Sequence, residues 1–107
     1  MTIAPDTQQL MRLAESMMTK GLSGLGAGIV AAAHLDIASD SRSFSRLLGI
    51  AHALVLREMT GLSAEGGPLL ITARDERTQR TRYALTPAGE EMVRFARAEL
   101  DGTHAQA

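Results

Sequence analysis

Residues 74–82 read RDERTQRTR. Four arginines stand against two acids, a net +2 on nine residues in a chain whose formal total is −1. A guanidinium is a planar fork that can donate two parallel hydrogen bonds, so such a cluster suits phosphate or carboxylate recognition. The same residues also fit a solvated hairpin with internal ion pairs, Asp75 to Arg77 foremost. Upstream, Arg57 is the one cation between His52 and Leu62, and Arg42 and Arg46 lie four residues apart. Arg57 could meet an anion, or pair with an acid such as Glu58 or Asp36. Arg42 and Arg46 suit either a phosphate or a solvated helix face.

Other chemistries find little support. There is no cysteine, which removes disulfides, thiol nucleophiles and cysteine metal sites together. His34, His52 and His104 have no HxH or HxxxH spacing, so no metal is expected. His34, Asp36 and Ser39 supply the residue types of a hydrolase triad, but a triad is defined by geometry, and no enzyme is expected. The loop GLSGLGAG, 21–28, lacks a GK[ST] ending and a preceding strand, so close helix packing explains its glycines better than a phosphate cradle. With only Phe44, Tyr83 and Phe95 aromatic, base stacking on side chains is disfavoured. No cofactor is expected.

A chain of 107 residues, 45% of them hydrophobic, is enough for one domain with a core of Leu, Ile, Val, Met and Ala. No basic segment followed by an apolar run marks an N-terminal signal. The uncharged run Gly21 to Leu35 is too short and glycine-rich to cross a bilayer, so no membrane partner and a cytoplasmic location are expected.

The elements that would position the arginines follow from periodicity. After Asp6, with Gln9 three residues on, Leu10, Leu13, Ala14, Met17 and Met18 form a helical stripe that Lys20 and Gly21 close. A small-residue helix, GAGIVAAAHL, comes next, then LDIAS as a candidate very short strand. Asp40 would cap a third helix bearing Phe44, Leu47 and Leu48, which Gly49 ends. In the following helix Val55, Met59 and Leu62 share a face until Gly66 and Gly67 stop it. LLITAR and RTRYALT read as antiparallel strands around a polar tip, the second with Thr81, Tyr83 and Leu85 on one face. Thr86 then caps a last helix with Pro87 at its first position and Met92, Phe95, Ala96 and Leu100 on its apolar side.

A short helix, a glycine turn and a second helix, followed by a hairpin, resembles the winged helix-turn-helix transcription regulators, MarR-like ones most closely and PadR-type ones next. The resemblance rests on Asp40, Phe44, Ser45 and Leu48-Gly49-Ile50, on Asp75-x-Arg77, and on YALTPAGEEM, and it covers roughly residues 29–95. It implies a mainly α fold with a small β-hairpin wing: one winged helix-turn-helix domain over 1–107 with extra N- and C-terminal helices. Its parts would be an N-terminal helix over 6–20, helix-turn-helix plus wing over 24–86, a C-terminal helix over 87–101 and a flexible tail over 102–107.

The resemblance further implies a small homodimeric regulator bound to double-stranded DNA. Arg74, Arg77, Arg80 and Arg82 of the wing would reach phosphate or the minor groove, with Asp75 orienting Arg77. His52, Ala53, Leu56, Arg57 and Thr60 would face the major groove, and Arg42 and Arg46 the backbone. Leu10, Leu13, Met17, Met92, Phe95 and Ala96 would build the dimer seam. An effector ligand is not identified. The leucines beside Arg57 support an alternative, a winged-helix protein-interaction module that does not bind DNA.

Overall fold

The computed structural model describes residues 5–19 and 21–105. Its elements run α1 (Pro5–Met18), α2 (Gly24–His34), α3 (Ser41–Leu48), α4 (His52–Leu62), β1 (Leu69–Arg74), β2 (Thr81–Leu85) and α5 (Pro87–Ala105). The order helix, helix, helix-turn-helix, hairpin, helix is the expected one. The stop signal expected at Lys20 lies outside the described residues.

The middle of α2 is buried all round, from Gly26 to Ala32. A helix enclosed by protein needs no polar face, which explains its lack of amphipathic pattern. It packs against α1, α4, α5 and β2, and its small residues let those neighbours approach. A Cβ on Gly26 would sit 2.8 Å from Glu58 Oε1, and one on Gly28 3.4 Å from the Phe44 ring. Around this axis close Leu10, Leu13 and Met17 of α1, Phe44 of α3, Val55 and Met59 of α4, Leu69 and Tyr83 of the hairpin, and Val93 and Ala96 of α5.

Two expectations change. LDIAS forms no strand: Asp36 takes a left-handed φ of 58°, and the Ile37 N–H returns to Ala32 O, so this segment turns back on α2. Sheet-like pairing begins only at its last residue, where Tyr83 N–H reaches Ser39 O, and continues at Asp40, which bridges Arg82. The last helix also runs on through residues 102–105, past its expected end at 101. Gly102 costs about 1 kcal/mol of helix propensity, too little to halt a helix on its own.

The boundaries of α5 and α3 follow their capping residues. Thr86 Oγ1 accepts from Gly89 N–H at 3.1 Å and donates to Gly67 O at 2.7 Å, which ties the start of α5 to the turn before β1. Asp40 caps α3 by accepting from Ser43 N–H at 2.9 Å, and Gly49 ends it in the left-handed region, φ 65°.

Candidate nucleic-acid interface

The turn between α3 and α4 is short and tightly bonded. Ile50 N–H donates to Ser45 O, and Ser45 Oγ donates to Ile50 O. This fixes how α4 leaves α3. Val55, Met59 and Leu62 of α4 point into the core, and Ala53, Leu54, Arg57 and Thr60 are exposed on the other side, with Leu56 half-buried. Thr60 Oγ1 donates to Leu56 O within the helix, at 3.0 Å. Arg57 pairs with neither Glu58 nor Asp36 among the described residues; Glu58 instead accepts from Ser23 Oγ at the start of α2.

His52, grouped with the outward face by sequence, turns inward. Its Nε2 lies 2.7 Å from Ser41 Oγ, which also accepts the Thr81 N–H at 2.9 Å. Burial first, and then the Arg42 cation, lower its pKa below the ordinary 6.5, against a smaller opposing pull from Asp40. The imidazole thus links the start of α4 to Ser41 of α3 and, through that hydroxyl, to β2.

The hairpin is antiparallel, with Leu69 opposite Leu85 and Ile71 opposite Tyr83, and an irregularity between Ile71 and Ala73. Strict alternation would put Arg74 on the same side as exposed Leu70. The bulge shifts the parity by one, so Arg74 stands opposite buried Thr81, with its Nε 3.3 Å from Thr81 Oγ1. Arg74 therefore shares the face of Thr81, and Arg82 that of Ala73. Nothing in the residue pattern of LLITAR marks this shift.

At the tip, Asp75 acts on the backbone. Its Oδ1 accepts the N–H groups of Arg77 and Thr78 at 2.9 and 3.2 Å, and Gln79 N–H closes onto Asp75 O at 2.7 Å. Gln79 sits in the left-handed region, φ 61°. Asp75 thus sets where residue 77 leaves the turn and leaves the Arg77 guanidinium free of an ion pair among the described residues.

Between α3 and the wing lies an open recess of about 900 Å³, lined by Arg42, Arg46, Arg74, Arg77, Arg80 and Arg82 with Asp75 the acid among them. Six guanidinium groups around one carboxylate repel each other and favour an extended anion. Three of the six have intramolecular partners, Arg74 on Thr81 as above and two that join the start of α3 to the wing tip. Arg42 donates through Nε and Nη2 to Thr78 O at 3.2 and 2.6 Å, and Arg80 Nε lies 3.5 Å from Asp40 Oδ1. Burial works against the Asp40 carboxylate, yet the Ser43 hydrogen bonds, the Arg80 cation and the Arg42 N–H hold its pKa below the ordinary 3.8. Arg46, Arg57, Arg77 and Arg82 have no side-chain partner among the described residues.

The expected dimer residues divide. Leu10 and Leu13 are 3% exposed and Met17 and Ala96 0%. Their apolar surface is spent inside the chain, where α1 packs on α2 and α5, so their assignment to a subunit seam is corrected. Met92 is half-buried and Phe95 exposed; Met18, placed on the inward stripe by its spacing, is exposed, and so is Met11, which that reading did not single out. Among the described residues, no three His, Cys, Asp or Glu gather as a metal site, and no helix is long and apolar enough to cross a membrane.

The geometry is that of a winged helix-turn-helix: α3 and α4 around a glycine turn, with β1 and β2 as the wing. A solved structure agrees. The chain is similar to the transcriptional regulator Tm0710 from Thermotoga maritima, with a TM-score of 0.71 and 18% identity over 94% of this chain and 70% of that one. No protein-family profile matches the chain, and no curated protein does.

Proposed function

We propose that this protein is a homodimeric regulator of transcription that binds double-stranded DNA. The observation that carries the reading is the gathering of arginines from α3 and the wing on one recess beside an exposed, free Arg57 on α4. In this reading α4 enters the major groove, where Arg57 meets a base edge or phosphate and Ala53, Leu56 and Thr60 line the contact. The wing lays Arg77 and Arg82 along the backbone, with Arg74, Arg46, Arg42 and Arg80 adding positive charge around them. The MarR-like resemblance and the name of the structural neighbour point the same way.

The seam between copies would use the apolar surface that α1 and α5 leave outside, Met11 and Phe95 at 53% and 57% exposure, with Met92 beside them. A twofold pair would present its α4 helices about 34–36 Å apart, or at a multiple, matching a pseudo-palindromic site.

Duplex binding measured across salt tests the proposal. Affinity at low salt that falls on a log–log plot by about 0.9 per phosphate contact supports it. One observation favours a second reading: Leu54 is 49% exposed on the same face as Arg57, which suits a protein-docking surface. Absence of duplex affinity even at low salt would decide for that module.

A further inference from the structure

The four residues that enter α3 grip the wing one after another. Ser39 O accepts Tyr83 N–H at 3.1 Å, and Asp40 makes an isolated antiparallel bridge to Arg82. Ser41 Oγ accepts Thr81 N–H, and Asp40 Oδ1 faces Arg80 Nε. Arg42 then extends past the strand to the tip and places two N–H groups on Thr78 O. Residues 39–42 thus act as a partial third strand, and the side chains of Asp40 and Arg42 reach the part of the wing that β1 and β2 do not hold.

We infer that Asp40 and Arg42 are positioning residues that clamp the wing to α3, and that Arg42 therefore acts on DNA through the wing and not as a phosphate contact of its own. The physical reason is geometric. A two-stranded ribbon is marginal by itself, and this one carries four arginines whose mutual repulsion would swing its tip. Asp40 offsets that charge from a nearly buried position, 11% exposed at the side chain, and it is itself held by Ser43 N–H and Ser43 Oγ at 2.9 and 2.7 Å. Thr78 O lies at the tip, where a donor from outside the ribbon limits its motion most. The clamp stands on these contacts alone; its consequence for affinity rests on the DNA-binding reading.

Two variants test it. Asp40→Asn keeps a residue that caps helices as well as aspartate but removes the charge facing Arg80. Arg42→Gln removes the fork on Thr78. Amide hydrogen exchange in the free protein should rise about five- to tenfold at Asp75, Gln79 and Thr81 in either variant, the net scale of one hydrogen bond, with the α4 amides unchanged. Unchanged wing exchange in both variants would overturn the clamp whether or not the protein binds DNA.

Duplex binding gives a second, opposite-signed readout. Removing a negative charge beside a DNA surface strengthens binding if charge alone matters; the clamp expects Asp40→Asn to weaken it. Arg42→Gln should weaken binding by itself but add little in an Arg77→Ala background, because both changes act through the same wing. Tighter binding by Asp40→Asn, or additive losses for Arg42 and Arg77, would overturn the proposal. If the parent protein shows no duplex affinity, the DNA-binding reading fails while the exchange result still decides the clamp.

Discussion

Thr81 in the wing donates its backbone N–H to the hydroxyl of Ser41 at the start of α3, 2.9 Å away, and both residues are 0% exposed. This pair joins the hairpin to the helix-turn-helix at a point closed to water. Ser41→Ala would strand a buried donor and also take the partner of His52 away. The expected loss is about 1–3 kcal/mol, the desolvation cost of an unpaired buried polar group. Urea unfolding measures it, and a change within about 0.5 kcal/mol, ordinary for a surface site, would contradict the network.

The imidazole in that network makes stability depend on pH. The folded pKa of His52 is lowered, chiefly by burial and then by Arg42. Its contribution is therefore full above the unfolded value of about 6.5 and declines as pH falls through it toward the folded value, because the unfolded state takes the proton first. Melting the parent and His52→Gln between pH 8 and 5.5, in one ionic strength, checks this. The parent should lose more on acidification than the variant; parallel curves would refute it.

Two glycines should respond to alanine with opposite signs. Gly61 lies in α4 with nothing within 4 Å of a built Cβ, so Gly61→Ala should stabilise by about 0.4–1 kcal/mol through helix propensity and reduced unfolded-state entropy. A Cβ on Gly89 would stand 2.3 Å from Pro68 O, a carbonyl already held by Thr86 N–H. Backbone cannot move aside as a side-chain tip can, so Gly89→Ala should destabilise by about 1–3 kcal/mol. Thermal or urea unfolding of the two variants decides, and a stabilised Gly89→Ala would show that the α5 entry is looser than this geometry.

If the proposed function holds, the free arginines dominate binding. Arg77→Ala and Arg82→Ala should each weaken duplex affinity across sequences and lower the salt slope by about 0.9. Arg57→Ala should instead change which sequences are preferred, at about 1–3 kcal/mol for a lost bidentate base contact. Fluorescence anisotropy with two unrelated duplexes separates these outcomes. Parent-like binding by all three variants would remove the arginines from the interface.

The seam can be tested apart from the fold. Phe95 is 57% exposed, so Phe95→Lys should leave unfolding at infinite dilution almost unchanged, within about 0.5 kcal/mol as for other surface changes. Sedimentation should then find a monomer where the parent is a dimer. A parent that sediments as a monomer at all concentrations would end the dimer proposal.

Much of this molecule is written locally. Asp40, Gly49, Thr86 and Pro87 mark helix ends because capping and left-handed φ are single-residue properties. The spacing of Val55, Met59 and Leu62 assigns the inner face of α4, and the alternation of Thr81 and Tyr83 assigns that of β2, because periodicity is set by backbone geometry. The arginine cluster of the wing is equally visible in one line of residues.

What the sequence leaves open is which partner each group meets. Leu10, Leu13 and Met17 form a stripe that suits a subunit seam and a core equally; only the placement of α2 and α5 beside α1 buries them within one chain. The bulge after Ile71 turns Arg74 to the opposite face, and strand pairing decides it, since one extra residue reverses parity without altering composition. Asp40 and Arg80, and Arg42 and Thr78, are far apart along the chain and meet because α3 and the wing fold against each other. Residue type determines what a side chain can bond, and tertiary packing determines which bonds are already taken, so only the folded chain separates arginines that fasten the wing from those left free.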